Sequence, residues 1–214
     1  RAVADSAARA AADLWRRLSE AGHCDYLDRK QVRAEGVRYS RRGAMVLPML
    51  DVHGMVHGLQ IIMPKAHPRA KRLERDKDYW PRGVAKEGHF FMAGSPLAGG
   101  VLLLAEGYAT GMSARMATDM PLAVAFDAGN LLPVAKALAS RYHGVRILVL
   151  ADDDYLARCR ECKRLTLSEV DSCAHCSSPI TTGNAGKRAA QAAAMAVGGA
   201  WLAPVFSRER PSDE

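Results

Sequence analysis

Two hydrophobic rhythms run along the chain. Residues 36–64, GVRYSRRGAMVLPMLDVHGMVHGLQIIMP, alternate apolar and polar positions with a period near two. Two strand-like runs, 44–50 and 55–62, flank Asp51-Val52-His53-Gly54 and predict a β-hairpin with a turn-favouring glycine. From residue 101 the rhythm changes to short apolar runs separated by helix-length segments. Strands are expected at 101–105, 122–126 and 145–151, helices near 108–118 and 131–142, the latter with Pro133 in its first turn. Asn184 is placed to cap a further helix that ends at Gly198-Gly199, and AWLAPVF closes the pattern as a last strand. Apolar strands joined by helices predict a parallel sheet covered on both faces. At the other end, Ala7, Ala11, Leu14, Trp15 and Leu18 fall on one face of a docking helix within residues 1–21. Residues 65–88 lose the apolar pattern, and no helix or strand is expected there; residues 89–100 read as a short strand and then a linker.

Charge sharpens this division. The 214-residue chain carries a net charge of +7. Residues 1–98 hold 18 Lys/Arg against 11 Asp/Glu, whereas residues 99–214 hold 12 of each, so the whole excess lies in the first part. Segment 65–88 alone holds eight Lys/Arg, followed in part by Tyr79 and Trp80. Basic side chains neutralise phosphates and aromatic rings stack on bases, which makes Lys65, Arg69, Lys71, Arg72, Lys77 and Trp80 candidates for nucleic-acid contact; an exposed loop with a partly buried Trp80 is the alternative. No apolar run approaches membrane-spanning length, and no signal peptide is visible; a cytoplasmic setting is expected. The start at Arg1, without methionine, reads as a piece of a longer protein.

Four of the five cysteines form Cys159-x2-Cys162-x10-Cys173-x2-Cys176. Two Cys-x2-Cys knuckles on a short loop are the spacing of a zinc ribbon, in which each knuckle aims two thiolates at one Zn²⁺. Disulfides are the alternative, but nothing else in the chain suggests secretion. His175 lies inside the second knuckle and is a weaker substitute ligand. Cys24 and the other histidines read as ordinary residues.

The remaining chemistry sits where strands end. In an open parallel sheet, ligands bind outside the carboxyl ends of the strands. Glu106 follows the 101–105 strand, Asp127 the next, and Asp152-Asp153-Asp154 the third. Carboxylates gathered on one edge repel one another unless a cation bridges them. Alternation sends Asp152 and Asp154 to one side and Asp153 to the other. With Glu106 they make a hard oxygen donor set suited to Mg²⁺ or Mn²⁺. Asp127 is either a further ligand or a helix cap; Lys187 and Arg188 are either phosphate contacts or a surface pair.

A strand ending in Glu-Gly and a later strand ending in Asp-x-Asp resemble a Toprim domain. LLLAEGYATGMSARMATDMPLAVAFDAGNLLPVAKAL, then ILVLADDD, then GNAGKRAAQAAAMAVGG, is similar to the Toprim primases of plasmids, phages and integrative elements. MVLPMLDVHGMVHGLQIIMP and GHFFMAGSP resemble the subdomain that precedes Toprim in bacterial primases. The resemblance covers roughly residues 24–206. It implies an α/β fold with a basic α+β subdomain over 1–98 and a Toprim parallel-sheet core over 99–206; the cysteine spacing adds an inserted zinc ribbon at 155–180. It makes Glu106 a metal ligand or general acid–base group, and Asp152 and Asp154 metal ligands, for DNA-templated synthesis of RNA primers. Implied partners are single-stranded DNA template, ribonucleoside triphosphates, and a helicase or other replication protein in the same or another chain. A Toprim nuclease and a non-catalytic zinc-and-Toprim DNA-binding module are the competing readings. Tyr108, just after Glu106-Gly107, reads as helix packing. The departure from the family is the ribbon: Asp154 and Asn184 are 30 positions apart, where related sequences need only a few residues.

Overall fold

The computed structural model describes residues 2–181 and 183–205. Residue 206, where the expected core region ends, lies outside the described residues.

Helix α1 (Ala2–Arg17) lays Ala11, Leu14 and Trp15, with Leu18 just beyond, against Val46 and Leu59. This is the apolar face read from the sequence. After the short α2 (Asp25–Lys30) come β1 (Arg38–Tyr39), β2 (Met45–Leu50) and β3 (Val56–Ile62). The β2–β3 hairpin closes as expected: Asp51 N donates to the Met55 carbonyl at 3.1 Å, and the Asp51 carboxylate accepts from the His53 and Met55 amides.

Segment 65–88, expected to hold neither helix nor strand, is corrected by the structure. It contains α3 (Pro68–Leu73) and β4 (Lys77–Trp80), a fourth strand antiparallel to β3 with Leu59 opposite Trp80 and Ile62 opposite Lys77. Pro68 sits in the first helical turn, where its missing N–H costs nothing, and the His67 ring accepts from Arg69 N. β4 takes its shape from ladder bonds to β3, which no local pattern announces.

The second sheet has the order β11–β8–β6–β7–β5, formed by β5 (Phe91–Ala93), β6 (Val101–Ala105), β7 (Leu122–Val124), β8 (Arg146–Leu150) and β11 (Ala200–Leu202). Four strands are parallel; β5 pairs antiparallel with β7, so the expected parallel sheet is a mixed one with an antiparallel edge. Alternation divides the strands between two cores. Leu103, Ala105, Leu122 and Val124 face a cluster with Tyr108 and Met112 of α4 (Tyr108–Thr118) and with Met45, Met49 and Tyr26 of the first sheet and its flank. Leu102, Leu104, Ala123, Ile147 and Val149 face α5 (Leu131–Arg141) and α6 (Ala185–Ala196). One continuous apolar cluster thus joins the basic first sheet to the parallel sheet.

Sequence order and spatial order part company at β6. The chain moves from β6 to β7 on one side, then returns to place β8 on the other. The loops after β6 and β8 therefore flank a crevice at the sheet's topological switch point, the position where ligands bind in open α/β sheets.

Candidate metal and nucleic-acid site at the sheet edge

Glu106 ends β6 and is half-buried. Burial, then the neighbouring Asp152, Asp154 and Asp127, push its carboxyl up to about 7, with Lys77 pulling the other way. Four acidic groups from three strand ends thus share one field.

Each is held differently. Asp152 accepts a hydrogen bond from the Thr110 hydroxyl, in the first turn of α4, at 3.1 Å. Asp154 accepts from Gly186 N at 2.9 Å, so the start of α6 holds it. Asp153 turns the other way, as alternation requires. Its side chain is only 2% exposed and meets Asn184 Nδ2 at 2.7 Å and Lys187 Nζ at 3.4 Å. Asn184 organises the segment. Its side-chain oxygen caps α6 at Lys187 N (3.1 Å) and also accepts from Asp154 N (3.2 Å). A Cβ on Gly186 would lie 2.3 Å from the Asp152 carbonyl oxygen, so only glycine lets α6 come this close. Asp127 caps the 3-10 turn Ala128–Asn130 through Asn130 N (3.1 Å) and forms an ion pair with Lys86.

β4 approaches the same edge. Alternation sends Lys77 and Tyr79 one way and Asp78 and Trp80 the other. Lys77 is felt at Glu106. The Tyr79 hydroxyl donates to the Phe126 carbonyl at 3.3 Å and accepts from the buried Gln60 amide at 3.1 Å, while the Lys86 ammonium lies 4.8 Å from the Tyr79 ring centre. Phe126, at φ 73, adopts a left-handed backbone rare for an aromatic residue as the chain turns into Asp127. Trp80 packs with Ala11, Val46 and Leu59. Arg69 is paired to Asp78, which also meets Arg75 at 3.4 Å. Lys65, Lys71 and Arg72 are exposed on α3 and the turn before it. Of the basic candidates, the structure brings Lys77 to the carboxylates. Lys86 and Tyr79 join it without having been singled out as site residues. For Tyr79 the signal was β4 itself, which places every second residue of 77–80 on this side; Lys86 lies in the loop beyond it, where no local pattern marks it.

The cysteines gather as expected. The antiparallel pair β9 (Leu156–Arg158) and β10 (Leu165–Leu167) leads into the knuckles, and all four Sγ atoms lie within 4.8 Å of one another. Cys159–Cys176 and Cys162–Cys173 separations are 3.6 and 3.7 Å. A tetrahedral ion with Zn–S bonds of about 2.3 Å has S···S edges of about 3.8 Å, so the cluster fits zinc. His175 is turned away, with Nε2 3.0 Å from the Leu165 carbonyl oxygen, and is no substitute ligand. The ribbon is tied to the core: Ser168 N donates to the Tyr155 carbonyl at 2.8 Å, and Lys187, which meets Asp153, also pairs with Glu169 at 3.1 Å.

Among the described residues no helix is long and apolar enough to cross a membrane. No protein-family model matches the chain. It is 30% identical over 185 residues to the DNA primase TraC of Escherichia coli, and 30% identical over 165 residues to a second DNA primase TraC of the same species. These alignments take in 85% and 75% of this chain but 11% and 13% of the relatives. Among solved structures, the primase fragment of the bacteriophage T7 primase-helicase protein superposes with a TM-score of 0.47 at 11% identity, over 86% of this chain and 60% of that one. The DnaG catalytic core gives 0.41 at 11% identity, over 61% and 54%. Superpositions this loose do not align individual side chains. The sequence alignment with TraC does reach across both sheets' worth of chain, and through it the protein is similar to one segment, about a tenth of the length, of a much longer DNA primase.

Proposed function

We propose that the chain is the primer-synthesising core of a DNA primase, joining ribonucleotides on a single-stranded DNA template for the replication of a plasmid, phage or other mobile element. The observation that carries this reading is that Glu106, Asp127, Asp152 and Asp154 come to the switch point of a mixed sheet near enough for the three aspartates to act electrostatically on Glu106, with Lys77 and Lys86 at the same edge. A carboxyl pushed up to about 7 by burial and by its neighbours is a site short of positive charge. The donor set is all oxygen, which suits Mg²⁺ or Mn²⁺. Such an ion, when bound, supplies charge neutralisation at the nucleotide's phosphates and acidifies the attacking 3′-hydroxyl.

The chain's own part is positioning. Phosphoryl transfer asks mainly for alignment and electrostatic stabilisation. Thr110 and Gly186 N fix the side chains of Asp152 and Asp154 on adjacent helix starts, so the pair is held before any ligand arrives. Glu106 faces them from β6. Lys77 comes from the first sheet and Lys86 from the loop after it, each a cation at the rim for phosphate oxygens. The first sheet then serves as the template side of the crevice, and a helicase or other replication protein supplies the remaining functions from elsewhere.

The test is primer synthesis with single-stranded DNA, labelled ribonucleotides and Mg²⁺ or Mn²⁺, resolved on a sequencing gel. Short template-dependent oligoribonucleotides are expected, and Asp152→Ala/Asp154→Ala abolishes them while the protein stays folded. Undiminished synthesis by the double variant removes these residues from the chemistry. Template shortening without synthesis replaces the primase reading by a nuclease.

A further inference from the structure

The inserted ribbon is electrically lopsided. Its first knuckle holds Arg158, Arg160, Lys163 and Arg164 against one acid, Glu161, all of them exposed. The rest of the ribbon, 165–181, has Glu169 and Asp171 and no Lys or Arg. A zinc ion with four thiolates carries two net negative charges, so some nearby cation is expected for that reason alone. Two of the four fill that need locally. Arg158 Nη1 donates to the Lys163 carbonyl at 2.6 Å, and Lys163 Nζ donates to the Arg160 carbonyl, so both side chains fold back onto the knuckle. Arg160 and Arg164 are left over. Among the described residues neither has a salt-bridge partner.

The tether limits where they can act. Arg160 is six residues beyond Asp154, a reach of at most ~20 Å. The base of the ribbon is pinned by Glu169–Lys187–Asp153 and by the Ser168–Tyr155 bond, so the knuckle is carried as a fixed arm beside the acidic edge. Positive charge that is exposed, braced and close to a crevice for nucleotides fits a polyanion running past that crevice.

We propose that Arg160 and Arg164 contact the phosphate backbone of single-stranded nucleic acid at a second point, within about six nucleotide steps of the carboxylates at ~3.4 Å per step. The contact is sequence-independent and electrostatic. The proposal rests on the primase reading for the identity of the strand, and on the ribbon's charge and tether for the contact itself.

The experiment uses the zinc-loaded full chain and a fluorescently labelled oligo-dT, with anisotropy read over a series of salt concentrations and zinc content measured on each variant. Each phosphate contact to a single strand contributes a log–log salt slope of about −0.7. Arg160→Gln/Arg164→Gln therefore flattens the slope by about 1.4 and weakens binding roughly 25-fold at 0.1 M salt, with one zinc per chain retained. Glu161→Lys, which disturbs no observed bond, tightens binding and steepens the slope. If both variants bind as wild type, or if the arginine variant weakens only in proportion to lost zinc while Glu161→Lys has no effect, the knuckle is a structural clasp and the proposal fails. Primer synthesis is scored separately. A wild-type chain that makes primers while its arginine variant binds unchanged sinks the contact alone; one that makes none while the variant binds more weakly sinks the primase reading alone.

Discussion

Replacing Glu106 by glutamine should make the magnesium-free protein more stable at neutral pH. The Glu106 carboxyl ionises at about 7 in the folded chain, against an ordinary value of 4.5, because burial and then Asp152, Asp154 and Asp127 disfavour its charge. A carboxyl whose folded value is raised carries no penalty below about pH 4.5, where both states hold the proton. Between about 4.5 and 7 the unfolded chain releases a proton that the folded chain keeps, and stability falls; above 7 the full penalty is present. At ~1.4 kcal/mol per unit, and discounted because the side chain is only half-buried and partly screened by solvent, the shift corresponds to a penalty on the order of 1–2 kcal/mol at pH 8. Glutamine has the same shape and no charge. Zinc-loaded wild type and Glu106→Gln are unfolded in urea at pH 4.5 and pH 8, without and with Mg²⁺. The variant is expected to match wild type at pH 4.5, to exceed it by ~1–2 kcal/mol at pH 8, and to lose that lead as Mg²⁺ stabilises the wild type by binding the folded state. Parallel pH profiles for the two proteins would refute the idea that Glu106 sits in a repulsive acidic field.

Three further outcomes follow from the packing. Gly186→Ala puts a Cβ 2.3 Å from the Asp152 carbonyl oxygen, a backbone atom that cannot swing aside, so it should cost ~1–3 kcal/mol in urea and reduce primer synthesis together with Mg²⁺ affinity. Tyr108→Phe removes the hydroxyl that donates to the Arg33 carbonyl at 3.1 Å and accepts from Glu35 N at 3.0 Å; chemical denaturation should show a loss of ~1–2 kcal/mol. Stripping zinc with a chelator should free four thiols to a colorimetric reagent. It should also leave the apolar cores on both faces of the second sheet folded, as read by an unchanged cooperative urea transition, because the four ribbon cysteines lie outside both clusters.

The strand-end acids and the cysteine spacing were legible because their signals are local. A buried parallel strand is a short apolar run, so Glu106 and Asp152 could be placed at strand ends, although the strand expected at 122–126 stops at Val124 and the one begun at Ala200 stops at Leu202. The knuckles are written as Cys-x2-Cys whatever surrounds them. Segment 65–88 was not legible as helix and strand, because Lys77-Asp78-Tyr79-Trp80 mixes two charges with two rings and resembles a solvated turn. It becomes a strand through β3, with Lys77 and Tyr79 drawn to the crevice and Trp80 to α1. The same tertiary fact redirects the candidates: Arg69 is engaged by Asp78, and Lys86, which looks like any loop lysine, meets Asp127. The antiparallel edge β5 escaped for the same reason, since three residues of strand carry no mark of direction.

Asn184 touches Asp153 and Asp154 with one side chain, although 30 positions separate Asp154 from Asn184 along the chain. The excursion between them therefore leaves and returns through a single gate, and the core meets the same two ends whether the intervening stretch is long or short. Lengthening such a closed detour costs only logarithmically, about 0.6 kcal/mol per doubling. The ribbon is in this sense an exchangeable cartridge: a short linker in its place, or another compact unit with adjacent termini, should leave the acidic edge assembled, and descent could trade accessories at this socket without rebuilding the sheet beneath it.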